Sequence, residues 1–224
     1  MPQALDIANW SRRHAFLHFR RYAKPWFSVC LRVDVTALKP ALAQLGGGRF
    51  SLACHHAALR EANRVRAFRL RLAGDGAEVM DAVHGSTTVL RPDGSFGFAL
   101  LPFDPGFPRF AEVGAVQIQT ARDAGPAPLA AMADERTLMH FTTLPWLHFS
   151  SFSFARGQHD IDTPKLAFGR VQQEGGRQWM PLALELHHVL ADGADIADFM
   201  AGFEATLRDP SPWLRGESQA SSVM

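Results

Sequence analysis

The stretch that most constrains this 224-residue chain runs from Leu182 to Leu207. Leu182, Leu184 and Leu186 alternate with Ala183 and Glu185, the period of two required by a strand with one buried face. His188 falls on the leucine side and His187 on the other. Asp192-Gly193 is a turn dipeptide, and beyond it Ile196, Phe199, Met200, Phe203 and Leu207 recur at helical spacing. The segment predicts a strand, a tight turn and an amphipathic helix, with an imidazole carried inward at the strand's end.

An imidazole in that position needs partners for both ring nitrogens, because a buried donor or acceptor left unpaired is costly. From the residues alone, two roles stay open for His188: a core histidine satisfied by backbone, or a catalytic base. Asp192 has a local role to hand, capping the helix that Gly193 opens by accepting from its orphan amides. A metal site built from His187, His188 and Asp192 is disfavoured, since adjacent strand residues point to opposite faces. No metal is expected.

Upstream, Phe16, Phe19 and Ala23 share one face of a predicted helix over residues 10–23, crowded by Arg12, Arg13, Arg20 and Arg21. His14 and His18 are spaced i, i+4 but have no third ligand nearby, and read as surface residues. Phe27 to Val35 alternates as a half-buried strand. Gly46-Gly47-Gly48 lacks the Lys-Ser or Lys-Thr of a phosphate-binding loop. An alanine-rich helix is predicted from Ser51, as its N-cap, to Arg66, with His55 and His56 on it outside any motif.

Short strands follow at 68–72, 87–90 and 95–101, separated by Gly74-Asp75-Gly76 and Pro92-Asp93-Gly94. Pro105 and Pro108 break the chain before a helix from Phe110 to about Arg122, and Gly125-Pro126-Ala127-Pro128 reads as a loop. From Leu138 to Phe154 aromatics alternate with hydroxyls. That pattern suits either a pocket lining or sheet core in which the hydroxyls bond backbone.

The length and a 47% hydrophobic content support one sizeable core, read as a single domain over 1–213 with a disordered small-polar tail over 214–224. A net charge of +1 offers no basic field for nucleic acid. No apolar run is long enough for a membrane span, and Met1 to Asp6 has no signal-peptide pattern, so the expected location is cytoplasmic. Cys30 and Cys54 read as buried hydrophobes, not a disulfide. Strand runs punctuated by helices predict an α+β fold, a mixed, largely antiparallel sheet packed by helices in a two-layer sandwich.

The His187-His188-x-x-x-Asp192-Gly193 pattern resembles the active-site motif of the coenzyme A-dependent acyltransferases. Asn9-Trp10-Ser11-Arg12-Arg13, the strand Phe27-Ser28-Val29 onward to Val33-Asp34-Val35-Thr36, Leu144-Pro145-Trp146 and Met180-Pro181-Leu182-Ala183 narrow the resemblance to the chloramphenicol acetyltransferase family, over roughly residues 5–208. It implies acetyl transfer from acetyl-coenzyme A to a hydroxyl without a covalent acyl-enzyme. His188 would be the base, and Thr142 the oxyanion donor where the family has serine. Arg12 would pair with Asp192 to hold the turn, and Arg170 and Arg177 would meet coenzyme A.

The acceptor pocket would include Phe96, Phe19 in place of a tyrosine, Ala23 in place of a leucine and Ala167 in place of a water-holding threonine. The resemblance further implies a homotrimer, with each pocket between neighbours. Chloramphenicol is the expected acceptor. The altered pocket residues keep open another hydroxylated small molecule, or a non-catalytic ligand-binding homologue.

Overall fold

In the computed structural model, which describes residues 2–124, 134–156 and 162–216, the alternating segments fold as strands. These are β1 (Gln3–Ala4), β2 (Trp26–Asp34), β3 (Leu70–Ala73), β4 (Gly76–Val79), β5 (His84–Leu90), β6 (Phe96–Leu101), β7 (Leu138–Leu144), β8 (Lys165–Gly169), β9 (Gln172–Glu174) and β10 (Arg177–His187). The helices are α1 (Arg13–Phe19), α2 (Leu38–Ala43), α3 (Phe50–Arg64), α4 (Phe107–Asp123), α5 (Gly193–Arg208) and α6 (Ser211–Leu214). The main sheet has the order β2-β10-β8-β7-β5-β6, with β9 paired to β10, and β1-β4-β3 form a smaller sheet. Among the described residues only β7 runs parallel to its neighbours β5 and β8; the other pairings are antiparallel. The fold is α+β, as the alternation predicts.

The leucine face of β10 packs under α3 and α5, in a core that includes Phe168, Phe199 and Phe203. Each such side chain stabilises the fold by about 1.5–3 kcal/mol relative to exposure. The alanines predicted for α3 explain how its neighbours approach it: Ala53, Ala57, Ala58 and Ala62 are all fully buried. On α5, Gly202 faces Glu61 of α3, where a Cβ would come within 1.9 Å of Glu61 Oε2. Any side chain there would force the Glu61 carboxylate to move.

Several boundaries differ from the periodicity. The other face of β10 is covered too: Ala183, Glu185 and His187 are 0%, 6% and 6% exposed, so the strand is buried on both sides. α1 stops at Phe19, leaving Ala23 exposed on the connection to β2. α3 begins one residue before Ser51, after Arg49 in the left-handed region at φ 59°, so Ser51 lies inside the helix. Pro108 sits in the first turn of α4 instead of preceding it, as suits a residue with no amide to donate. The strand predicted over 68–72 starts at Leu70, behind a 3₁₀ turn at Arg66–Arg69.

Arg71, which falls on the polar side of that alternation, is fully buried. It donates to the carbonyls of Phe68, Leu70, Arg136 and Leu138, tying the small sheet to the start of β7. At the C-terminal end, Trp213 and Leu214 are buried, so the packed core includes residues past 213. Residues 217–224 and the loop predicted at 125–128 lie outside the described residues. Among the described residues no helix is long and apolar enough to cross a membrane. Cys30 and Cys54 are both free thiols.

Candidate active site

His188 leaves the end of β10 on a tight turn in which the amides of Leu190 and Ala191 donate to His187 O at 2.9 and 3.1 Å. Its own amide donates to Pro25 O at 2.6 Å. Its ring Nδ1 lies 3.0 Å from Ala191 O. A carbonyl only accepts, so Nδ1 carries the proton and Nε2 presents a lone pair. The ring stacks on Phe19, with centroids 3.8 Å apart and planes 12° from parallel, and tilts against Phe27 at 4.3 Å. Phe19 therefore supports the imidazole.

Arg12 and Asp192 meet as the resemblance implies, with a different geometry. Arg12 Nε donates to Asp192 Oδ2 at 2.8 Å, while its Nη2 donates to His188 O at 3.3 Å. The contact is a single hydrogen bond, not a bidentate fork, because Nη2 is turned to the turn's backbone and Nη1 is buried without a hydrogen-bond partner. The pair is also only partly buried, with side chains 16% and 35% exposed. Asp192 Oδ1 accepts from the Ala194 amide at 2.9 Å, and Asp195 Oδ2 accepts from the Asp192 amide at 2.8 Å, completing a capping box. The cap and the ion pair coexist on one carboxylate. Partial burial alone would raise its pKa, but the Ala194 amide and Arg12 outweigh that and hold it below the usual carboxylate range.

Thr142 does not join this cluster. The register sets it opposite Ala167, and Ala167 opposite Ala183 of β10, five residues before His188. Two strand spacings and five residue rises put Thr142 about 19 Å from His188 within one chain. Ala167 is fully enclosed between those two neighbours.

The same sheet face continues through Thr88 to Phe98 and Phe96, because β5 and β6 carry the register on. There Leu90, Phe96 and Phe98 are 55%, 50% and 37% exposed. Thr142 and Phe96 thus share one apolar, open region, while His188, Phe19, Arg12 and Asp192 share another.

Arg170 is exposed just beyond β8 and lies nearer Thr142 than His188; its amide donates to Leu147 O at 2.6 Å. Arg177 is at the opposite end of β10 from His188, about 36 Å along the strand, and pairs with Asp34 at 3.4 Å. A cavity of about 410 Å³ lined by Asp34, Arg177, Trp179, Glu204 and Arg208 sits at that far end, away from the imidazole.

His187, on the face opposite the leucines, is buried with its ring edge-on to Trp26 at 4.7 Å. Burial, with Arg156 and His188 nearby, pushes its pKa down to about 4, so it is neutral. Two further contacts around the site differ in how far the sequence foretells them. The Phe27 ring against His188 is foreshadowed by the strand alternation, but the Arg156–Glu185 ion pair at 2.7 Å has no signal in spacing.

The chain matches the family model described as chloramphenicol acetyltransferase over residues 2–204. It is 31% identical over 224 residues to a chloramphenicol acetyltransferase of Streptomyces acrimycini, covering 95% of this chain and 97% of the relative. It is 27% identical over 199 residues to chloramphenicol acetyltransferase 2 of Escherichia coli, covering 88% and 92%. A solved structure of a chloramphenicol acetyltransferase superposes with a TM-score of 0.84 at 26% identity, covering 92% of this chain and 100% of that one.

Proposed function

The chain belongs to the chloramphenicol acetyltransferase family, and from that premise we propose that it acetylates a hydroxyl of chloramphenicol by direct transfer, with His188 as the base. Membership makes it an acyltransferase that draws on acetyl-coenzyme A. The observation that carries the residue-level reading is the hydrogen bond from His188 Nδ1 to Ala191 O, which leaves Nε2 free to accept a proton. In the proposed step Nε2 takes the acceptor's hydroxyl proton as its oxygen bonds to the thioester carbon. The carbonyl electron pair moves onto oxygen, and collapse expels the thiolate of coenzyme A, which leaves with the proton from the imidazolium.

The transient oxyanion needs a donor, and Thr142 supplies one hydroxyl, worth about 3 kcal/mol if well aimed. About 19 Å separates it from His188 within one chain, which supports a site assembled from two copies, the base of one facing Thr142 of the next. We assign the assembly as a homotrimer, in which exposed Leu90, Phe96 and Phe98 would be covered by a neighbour. Arg170 is the better placed of the two candidate cations for the phosphates of coenzyme A, while Arg177 is already engaged by Asp34.

A second acceptor reading has an observation in its favour. Phe19 is spent on the imidazole, Ala23 is exposed on the connection to β2 and Ala167 presents only a methyl. Such changes suit a different hydroxylated small molecule. Purified protein, acetyl-coenzyme A and chloramphenicol should release free thiol. Release with other alcohols but none with chloramphenicol would select the second reading, and a monomer with full activity in light scattering would end the two-copy site.

A further inference from the structure

From Pro145 to Arg156 the chain leaves β7 and crosses the face of the sheet opposite the helices, with neither helix nor strand pairing of its own. Its exposure alternates: Phe152, Phe154 and Arg156 are half-buried, while Ser151, Ser153 and Ala155 are exposed. The strap therefore turns an aromatic side inward. Phe149, Phe152 and Phe154 form a ladder with centroids 5.2 and 4.8 Å apart. A segment without its own backbone ladder depends on contacts to its neighbours.

At the near end, the Arg170 amide donates to Leu147 O, and Phe149 packs on Gly169 so closely that a Cβ there would lie 2.8 Å from its ring. At the far end, Lys165 Nζ donates to Ala155 O at 3.1 Å. One residue on, Arg156 pairs with Glu185 Oε2 at 2.7 Å. The same oxygen accepts from Ser28 Oγ at 3.0 Å, and the guanidinium lies 4.0 Å from the Trp26 ring centroid. Glu185 is almost wholly buried. An aliphatic side chain would fill that strand position as well, and a carboxylate so far from water is costly without its cation. The ion pair links the strap that starts beside Thr142 to the strand that ends in His188.

We infer that Glu185, through its ion pair with Arg156, is a specificity-determining positioning residue. It fixes the Phe149, Phe152 and Phe154 strap as an apolar wall for an acceptor that carries an aromatic ring as well as the reacting hydroxyl. This rests on the acyltransfer reading above for its substrate, but the tether itself is measurable without turnover.

The test compares Glu185→Gln, Arg156→Gln, Arg156→Lys and the double glutamine variant, by steady-state kinetics with chloramphenicol and acetyl-coenzyme A and by amide hydrogen exchange. The glutamine variants should raise the KM for chloramphenicol about tenfold while kcat stays within about threefold and the KM for acetyl-coenzyme A within about twofold. Arg156→Lys, which keeps the charge, should recover most of the loss. The double variant should be no worse than either single one. Exchange should quicken over 147–156 and not in β10.

Equal rises in both KM values with a lower Tm and faster exchange in β10 would overturn the inference in favour of a general structural role. A wild type inert toward chloramphenicol would defeat the acceptor reading instead; the exchange data then decide the tether, and unchanged protection of the strap in Glu185→Gln would refute it.

Discussion

Around His188 the chain supplies its own support. Ala191 fixes the proton, Phe19 and Phe27 hold the ring, Arg12 grips both the turn and Asp192, and Asp195 closes the cap. Around Thr142 the same chain leaves a sheet face with half-exposed aromatics and a strap held by a few long-range contacts. The first region is preorganised before any substrate arrives, which is what the proposed base would need. In the proposed two-copy site, the second would gain its environment from a neighbouring copy. Under the proposed function, a site divided in this way would keep the base on the rigid half and put the oxyanion donor and the choice of acceptor on the open half.

Removing the proposed base is the harshest test of that division. His188→Ala should lower kcat by about 10²- to 10⁴-fold, with Tm changed by only a few degrees, because the turn's backbone bonds do not use the ring. A fully active variant would refute the catalytic assignment. Next in size, Thr142→Ala should cost about 10²-fold or more, and Thr142→Ser should restore the rate by keeping the hydroxyl. Co-expression of the two inactive chains then sharpens the comparison. If each site takes its base from one copy and its hydroxyl from another, random mixing regenerates activity at about a quarter of the sites. No recovery would mean the two residues do not meet across copies.

The closed region and the core beneath it should also be the acid-sensitive part. His55 and His56 on α3 are buried, one against Phe141 and Phe168, the other donating Nε2–H to Asp104 O at 2.9 Å among Phe103, Phe107, Phe110 and Trp213. Burial pushes their pKa values down to about 3 and about 4, and that of His187 to about 4. The unfolded chain takes up these protons below pH of about 6.5 while the folded chain refuses them, so stability is full above that pH and falls as pH drops toward the folded values. By pH 5 the loss should be about 2 kcal/mol per histidine. Urea midpoints at pH 7, 6 and 5 measure it; a flat profile would show that these rings are not buried neutral. Asp192 lies outside this window, since its lowered pKa keeps its contribution intact until the pH falls below the ordinary carboxylate range.

Sequence reading found the closed region well because its information is local. The alternation up to Leu186, the Asp192-Gly193 turn and the helix after it lie within 26 residues, and periodicity reports them directly. The motif resemblance then supplied Arg12, which is 180 residues from Asp192 and invisible to spacing. The open region was less legible. Residues 145–154 carry the composition of a core strand, yet only Leu138–Leu144 pairs, and the rest is held by Glu185, Lys165 and Gly169 from distant strands. Arg71 was missed for the same reason. An arginine in an alternating segment normally marks a solvent face, and only the tertiary placement of four carbonyls around it makes burial tolerable.

The smallest expected effect separates two duties of one carboxylate. Asp192 caps α5 through Oδ1 and pairs with Arg12 through Oδ2. Asp192→Asn keeps an amide oxygen for the cap but sets an NH₂ group or a neutral oxygen against the guanidinium. Because the carboxylate is about a third exposed, solvent screens the pair, and the loss should be about 1 kcal/mol instead of the several expected of a fully buried pair. Activity should fall less than about tenfold, through slight displacement of His188.

Asp192→Ala removes both bonds and should cost roughly 1 kcal/mol more, the usual value of an N-cap. Arg12→Ala should match the asparagine variant in stability, but exceed it in lost activity, because it also releases His188 O from Nη2. Combining Arg12→Ala with Asp192→Asn should then be less than additive, since both remove the same bond. Additive losses would mean that Asp192 acts as a cap alone and that Arg12 steadies the turn only through its backbone contact.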